Sequence, residues 1–244
     1  MVKVTDVVEQ GGVRRRSFEA ERGERVIPGV LFDAPGGRTG PLVLLGHGGS
    51  GSVFDEYLVA LAHRLAREAG CLCVAIDGPV HGRRRGGRSD HGDLVLLEFS
   101  QVWSSEPSMT DEMVADWRFV LDEVIESFEL DGVPVGYWGL SMGTILGLPL
   151  VAADARITAA VLGLCGLIGP TKDRLGADAG RVTCPVFFVL QLDDQLFSEE
   201  SVRALFDALA SDDKELHASP GRHGEVPIET FVDSAGFLLD RLGT

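Results

Sequence analysis

Continuous apolar runs recur along the chain and are separated by stretches with helical periodicity. The apolar runs lie at residues 41–46, 71–76, 133–138, 157–164 and 184–190. None of them alternates between polar and apolar residues, which is typical of strands covered on both faces of a sheet. The helical stretches lie at residues 54–69, 113–128, 199–209 and 228–242. In the second of these, Val114, Trp117 and Leu121 fall on one face, with acidic residues opposite. The alternation predicts an α/β fold with a mostly parallel central sheet and helices on both faces.

Two segments depart from this alternation. Residues 1–35 show short β-type segments separated by glycines, which predicts that the N-terminal strands of the sheet are antiparallel. Residues 83–112 form a long insertion between a strand and a helix. We expect the insertion to shape a binding site, to pack on the core as a short helix, or to do both. No repeat or low-complexity linker interrupts the pattern, so residues 1–244 are predicted to form a single domain.

Composition and charge narrow the class of protein. The chain has 244 residues, of which 45% are hydrophobic and 24% charged, as is ordinary for a folded soluble domain. Its net charge of −15 argues against nucleic acid and anionic membranes as main partners, because both select a positive surface. We interpret the arginine triplets at 14–16 and 83–85 as solvated strand or loop positions, with a patch facing an anionic ligand as the alternative.

The cysteines and the apolar stretches give information on metal binding and on the cellular location of the protein. The four cysteines lie in or beside apolar runs and form no C-x-x-C pair, so the sequence gives a zinc site little support. Residues 1–11 do not resemble a signal peptide, and the longest apolar stretch, residues 157–169, is too short to span a bilayer. Together with free cysteines, these features predict a soluble cytoplasmic protein.

The most informative motif is G-x-S-x-G at residues 139–143. It directly follows an apolar strand and precedes a helical run, which is the context in which the motif indicates a nucleophile. Gly139 and Gly143 allow a tight turn that exposes the Ser141 hydroxyl at the edge of the sheet. The adjoining helix N-terminus favours a developing anion nearby. We therefore interpret Ser141 as a nucleophile, with an ordinary strand–helix turn as the alternative.

A serine nucleophile needs a base and an acid, which are expected to follow it along the chain. His223 lies in a glycine-flanked loop after the strand predicted at 214–219 and is the best candidate base. Asp193 and Asp194 both follow the apolar run 184–190. Asp194 is favoured because apolar Phe197 follows it at the expected spacing, and Asp193 is then a loop or cap residue.

A glycine-rich segment at residues 46–51 follows the first apolar run. Consecutive glycines let backbone N–H groups approach a substrate oxygen. We assign one such donor to Gly49 and expect it to form an oxyanion hole with the Met142 N–H. His47 is interpreted as a residue that braces the loop. The alternative, a phosphate-binding loop, lacks both G-x-G-x-x-G and the Walker lysine.

Residues 46–49, the segment 139–143, Asp194 and His223 together resemble the motifs of the α/β-hydrolase superfamily. The small size and the residues 77–83 are similar to dienelactone-hydrolase-like serine esterases. Dienelactone hydrolases proper use a cysteine nucleophile, so Ser141 favours carboxylic esters instead. The resemblance implies ester hydrolysis by a Ser141–His223–Asp194 triad through an acyl-enzyme, with no cofactor and no metal.

The insertion supplies candidates for the substrate pocket. We expect Leu97 and Trp103, with Leu94 and Phe99, to line an apolar acyl pocket, and Arg83 to contact an anionic substrate group or lie in solvent. The expected partner is a small-molecule ester. An acyltransferase or thioesterase stays open, as does a non-catalytic ligand-binding protein, because a fold does not determine a function.

Overall fold

The computed structural model describes residues 2–36 and 40–244, and the strands within them form a nine-stranded sheet. Met1, at the start of the predicted antiparallel segment, lies outside the described residues. The strands are β1 (Lys3–Gln10), β2 (Val13–Arg22), β3 (Arg25–Asp33), β4 (Leu42–Gly46), β5 (Leu72–Ile76), β6 (Val135–Gly139), β7 (Ile157–Gly163), β8 (Val186–Gln191) and β9 (Lys214–Ser219). Their order in the sheet is β1-β2-β3-β5-β4-β6-β7-β8-β9.

The sheet combines both predicted strand types. The strands from β4 to β9 pair with one another in parallel, whereas β1, β2 and β3 pair in antiparallel fashion and β3 joins them to β5. β4, β5, β6 and β8 are buried at every position, which explains why their sequences do not alternate. β9 ends the sheet and has no fully buried position, which agrees with its polar sequence.

Helices cover both faces of the sheet. They are α1 (Glu56–Ala69), α2 (Gly92–Ser105), α3 (Met109–Phe128), α4 (Met142–Ala153), α5 (Lys172–Ala179), α6 (Glu199–Ala208) and α7 (Ile228–Arg241). α1 and α7 pack on one face through residues such as Leu58 and Leu238, while α3, α4, α5 and α6 pack on the other through residues such as Trp117 and Leu205. The predicted α/β fold class is therefore confirmed. Among the helices of the described residues, none has the length and apolar character needed to cross a bilayer.

The apolar pattern did not predict α5. Among its eight residues, only Leu175 and Ala179 are buried and apolar, which is too few for a recognisable helical periodicity. The insertion at 83–112 contains one turn of 3-10 helix, Gly82–Arg85, followed by α2. It therefore forms ordered helical structure.

The arginine triplets are largely paired, so their interpretation as solvated positions is wrong. Arg14 donates to Asp33 at 2.8 Å. The Arg85 side chain is only 1% exposed and pairs with Glu98 at 3.0 Å. A buried guanidinium needs such a partner, because an unpaired buried charge costs far more free energy than a solvated one. The partners lie on other elements and are not adjacent in the sequence.

Asp116 of α3 joins the insertion to the antiparallel strands. Its fully buried carboxylate accepts hydrogen bonds of 2.9 Å from each of Arg22, Arg25 and Arg84. Burial alone would raise the pKa of Asp116, but the surrounding guanidinium groups outweigh burial and hold that pKa below its usual value. The ionised carboxylate therefore ties β2, β3 and the start of the insertion to α3.

We expect Asp116→Asn to lower the free energy of unfolding by about 3 kcal/mol near neutral pH, because it removes the counter-charge of these arginines. The matched control is Asp122→Asn, which removes an exposed partner of Arg156 and should cost about 1 kcal/mol or less. The lowered pKa means that the contribution of Asp116 is complete above its unfolded pKa of about 3.9 and is lost as the pH falls through the folded value. Equal losses for the two variants in urea unfolding at neutral pH would contradict this assignment.

Candidate active site

The turn between β6 and α4 holds Ser141 in a strained backbone conformation. Ser141 has φ 59° and ψ −118°, in a region that residues with a side chain rarely adopt. Its N–H donates to the Gly163 carbonyl of β7 at 3.0 Å. Because the neighbouring strand fixes the turn, the Ser141 hydroxyl stands at the carboxyl edge of the sheet.

The glycines on either side of Ser141 are required by close backbone contacts. A Cβ atom on Gly139 would lie 2.9 Å from the Gly143 carbonyl oxygen. A Cβ atom on Gly143 would lie 2.7 Å from the Gly46 carbonyl oxygen at the end of β4. Real Cβ atoms do not approach backbone this closely. The prediction that small residues are needed at both positions is confirmed.

The Thr144 side chain links the turn to β7 through hydrogen bonds. Its buried hydroxyl accepts a hydrogen bond from the Gly163 N–H at 2.8 Å. The same hydroxyl lies 2.7 Å from the Gly163 carbonyl and 2.8 Å from the Gly139 carbonyl, so it donates to one of these oxygens. Thr144 belongs to the segment that drew attention to the turn, but the sequence pattern assigned it no role.

The structure brings Ser141, His223 and Asp194 together. Nε2 of His223 lies 2.8 Å from Oγ of Ser141, and Nδ1 of His223 lies 2.7 Å from Oδ2 of Asp194. The Asp194 side chain is 2% exposed and that of His223 14%. The three side chains form a continuous hydrogen-bonded chain, although they lie far apart in the sequence.

Asp194 is held in position by several donors. Its Oδ1 accepts hydrogen bonds from the N–H groups of Leu196 at 2.7 Å and Phe197 at 3.1 Å. Burial alone would raise the pKa of Asp194, but the hydrogen bonds from His223 and from these N–H groups outweigh burial and leave that pKa below its usual value. Asp193 instead accepts from the Gly221 N–H at 3.2 Å, which braces the loop that carries His223.

Gly49 and Met142 lie side by side next to Ser141. A Cβ atom on Gly49 would lie 3.6 Å from Cβ of Met142. Within residues 2–36 and 40–244, no hydrogen bond is donated by either of the two N–H groups. Both donors are therefore available to bind a substrate oxygen.

Buried His47 supports the glycine-rich loop at residues 46–51 through hydrogen bonds. His47 donates from Nδ1 to the Gly48 carbonyl at 2.8 Å and accepts at Nε2 from the Gly78 N–H at 2.9 Å. Burial and the neighbouring His81 lower the pKa of His47 to about 3, so it is neutral near pH 7 and can both donate and accept. These bonds agree with the predicted bracing role.

Sequence reasoning missed His81. Its Nε2 lies 3.0 Å from the carbonyl oxygen of Gly49, and its ring lies 5.0 Å from that of His47. The only signal was its position in the segment 77–83, which assigns no function by itself. The Nδ1 atom of His81 lies 2.5 Å from the Pro79 carbonyl oxygen, so the neutral ring donates to one of these two carbonyls and packs against the other.

Two cavities open beside Ser141. The larger, of about 300 Å³, is also lined by His223, Tyr57 and Val226. The smaller, of about 210 Å³, is also lined by Met142. Further residues of the smaller cavity are Leu96, Phe99, Ser100, Trp103, Ile145, Ile168, Gly169 and Phe197.

The face of α2 that lines the cavities beside Ser141 differs from the one expected. Trp103 lines the smaller cavity as predicted, and so does Phe99. Leu97 lines neither cavity, and its side chain is 55% exposed; Leu96 takes its place. Leu96, Phe99 and Trp103 are spaced three and four residues apart and therefore share one helical face. This spacing could have been read from the sequence.

Arg83 is not brought to Ser141. Its Nη2 donates to the Gly29 carbonyl at 2.5 Å, and its backbone N–H donates to Asp77 at 3.0 Å. It lines a separate cleft with Arg25 and Pro28. The part of the chain that the structure describes contains no cluster of three or more histidine, cysteine or acidic side chains placed to hold a metal ion.

The chain is similar over nearly its whole length to a solved esterase. A cold-adapted esterase from an Arctic intertidal metagenomic library is 38% identical to it, with 99% of each chain covered and a TM-score of 0.89. The chain belongs to the esterases of the α/β-hydrolase superfamily. This relationship confirms the prediction of a carboxylic ester hydrolase and argues against a non-catalytic binding protein.

Two more distant structures share the fold of this esterase. An esterase from Pyrococcus furiosus is 16% identical, with 94% of this chain and 93% of that chain covered and a TM-score of 0.72. A dienelactone hydrolase-like promiscuous phosphotriesterase from metagenomic libraries is 20% identical, with 95% and 98% covered and a TM-score of 0.71. No protein-family model matches the chain, and the comparison with curated proteins gives no match.

We expect Thr144→Val to destabilise the esterase by about 1–3 kcal/mol, because it leaves the buried Gly163 N–H without an acceptor at nearly constant volume. Thr144→Ser keeps the hydroxyl and serves as the matched control. The measurement is urea unfolding followed by tryptophan fluorescence. If Thr144→Val proved as stable as Thr144→Ser, the hydroxyl would not be what holds the turn.

Proposed function

We propose that this esterase hydrolyses small-molecule carboxylic esters through Ser141 as nucleophile, His223 as general base and Asp194 as the acid that orients the histidine. The observation that carries the proposal is the hydrogen-bonded chain from Ser141 Oγ through the His223 ring to Asp194, with bonds of 2.8 and 2.7 Å. Serine is a weak nucleophile unless a base accepts its proton, and this chain supplies that base.

In the first half of the reaction, Ser141 Oγ attacks the ester carbonyl carbon while its proton passes to His223 Nε2. The imidazolium that forms is stabilised by the ionised Asp194, which also keeps Nδ1 protonated and the ring correctly oriented. His223 then donates the same proton to the leaving alkoxide oxygen. The C–O bond breaks, the alcohol leaves, and the acyl group remains on Ser141.

In the tetrahedral intermediate, the former carbonyl oxygen carries a negative charge. This charge requires hydrogen-bond donors close to that oxygen. We assign this role to the N–H groups of Gly49 and Met142, which lie adjacent to Ser141 and to each other. Where measured, one such donor lowers the barrier by about 2.7–4 kcal/mol. The bond from His47 to the Gly48 carbonyl supports this assignment, because that carbonyl and the Gly49 N–H belong to the same peptide group.

In the second half, water attacks the acyl-enzyme and gives its proton to His223, which returns a proton to Ser141 Oγ. The product is a free carboxylic acid. An acyltransferase would instead form a new ester when an alcohol is added, so measuring both products distinguishes hydrolysis from transfer.

A single domain accounts for all of these parts. The nucleophile, base and acid follow the ends of β6, β9 and β8 in one sheet, and the insertion at 83–112 supplies α2 to the cavities beside Ser141. This supports the expectation that the insertion shapes the substrate pocket. No cofactor enters the proposed reaction.

We expect Ser141→Ala to lower kcat for a short-chain p-nitrophenyl ester by about 10⁴-fold or more, because the reaction loses its nucleophile. A fluorophosphonate probe should label the wild type and not this variant. Ser104→Ala, at the exposed end of α2, is the control and should keep both activity and labelling. Wild-type turnover by Ser141→Ala would show that the nucleophile is another residue.

We expect Asp194→Asn to lower kcat by about 10⁴-fold, because an amide does not hold His223 in the correct tautomer. Asp193→Asn is the matched control at the neighbouring position and should have a much smaller effect, since its carboxylate contacts the Gly221 backbone and not the ring. Circular dichroism would verify that both variants fold. The reverse ranking of the two rates would move the acid to position 193.

A further inference from the structure

The larger cavity beside Ser141 adjoins an apolar groove on the surface. This groove, of about 300 Å³, lies between α1 and α7, and it shares Tyr57, Val226 and Phe231 with the larger cavity. Its lining includes Ile228 and Val232, whose side chains are exposed. The two spaces are therefore neighbours that share these three side chains, one space beside Ser141 and His223 and the other at the protein surface.

The side chains shared by the two spaces are held in place by hydrogen bonding and aromatic packing. The Tyr57 hydroxyl accepts a hydrogen bond from the Gly48 N–H at 2.8 Å, and the Phe231 ring stacks on Trp138 at 5.7 Å. Arg64 also lines the groove, but it is paired with Glu68 at 3.0 Å. The groove thus presents a preformed apolar surface that suits an alkyl chain.

The smaller cavity is bounded on one side by Trp103, which is held in place. The Trp103 indole donates to Thr171 Oγ1 at 2.9 Å and stacks on Phe99 at 6.0 Å. A Cβ atom on Gly169 would lie 2.6 Å from the Trp103 ring, so the backbone is packed against it. The smaller cavity has a volume of about 210 Å³.

The chemistry of ester cleavage assigns a role to each space. His223 donates its proton to the leaving oxygen, so the alcohol portion of the ester must lie on the side of His223. His223 lines the larger cavity and not the smaller one. Of the two proposed oxyanion donors, Gly49 lines both cavities and Met142 lines only the smaller one. The acyl chain then points away from His223 and into the smaller cavity.

We propose that the groove between α1 and α7 binds the alkyl chain of the substrate's alcohol portion, so that the preferred substrates are short-acyl esters of long apolar alcohols. This inference rests on the proposed function and adds a substrate class to it. Trp103 bounds the smaller cavity, so we expect long acyl chains to collide with it. An alkyl chain on the alcohol portion can lie along the groove that adjoins the larger cavity.

The test compares two ester series by pH-stat titration, alkyl acetates from ethyl to octyl and ethyl alkanoates from butyrate to decanoate. In the wild type, kcat/KM should rise about tenfold or more from ethyl to octyl acetate, because each added CH₂ is buried in the groove. It should fall by about tenfold or more from ethyl butyrate to ethyl decanoate, because a longer chain does not fit without displacing Trp103.

Ala60→Phe places a ring in the groove, and Ile228→Ser removes exposed apolar surface from its lining. We expect Ala60→Phe to lower the ratio of kcat/KM for octyl over ethyl acetate by about tenfold and Ile228→Ser to lower it by a few-fold. Trp103→Ala should instead raise the ratio for ethyl decanoate over ethyl butyrate. Leu97→Ser, an exposed residue that lines neither cavity, is the control and should leave both ratios unchanged. Each ratio is internal to one protein sample, so partial misfolding does not alter it.

An unchanged alkyl acetate ratio in both groove variants would overturn the inference. So would the reversed pattern, in which Ala60→Phe changes the ethyl alkanoate ratio and Trp103→Ala changes the alkyl acetate ratio. A wild-type protein that hydrolyses esters without any preference among alkyl acetates would overturn the inference alone. Absence of any ester hydrolysis would overturn the proposed function itself, and the inference with it.

Discussion

The strained turn at Ser141 is the constraint on which the site depends. A serine at φ 59° persists only where the surrounding backbone leaves no other arrangement. Here the Gly46 carbonyl lies too close for a side chain at Gly143, and Gly163 binds both the Ser141 N–H and the Thr144 hydroxyl. Strands β4 and β7, the neighbours of β6, thus hold the turn from both sides. The turn places the hydroxyl within reach of His223, and the Met142 N–H has no partner within α4 because Met142 is its first residue.

Further buried polar contacts hold the loop after β4 and the insertion in place around this turn. His47 donates to the Gly48 carbonyl and accepts from the Gly78 N–H, so it ties the loop after β4 to the segment after β5. Asp116 fixes Arg84, and with it the start of the insertion that carries α2 to the cavities. The reacting groups and the walls around them are therefore preorganised by the same folded core, as electrostatic stabilisation of a transition state requires.

The fold could be predicted from the sequence to a large extent, because strands that are buried on both faces of a sheet consist of continuous apolar runs. The Ser141 turn was predictable for a related reason, since only glycine fits where two backbones nearly touch. Asp194 was preferred over Asp193 by spacing, and the structure separates the two by their partners, His223 and the Gly221 backbone. The misassigned arginines show the limit of this reasoning, because a charged side chain looks the same in the sequence whether it is solvated or paired.

The sequence by itself determined the alternation of strands and helices apart from α5, the position of the sharp turn and the residue types available for acyl transfer. These follow from local rules of periodicity and backbone sterics that act over a few residues. Only the tertiary structure decided which face of α2 meets the cavities, that Arg83 lies away from Ser141, and that a groove between α1 and α7 lies next to the site. Such features depend on contacts between distant segments, and neither composition nor spacing records which distant segments meet.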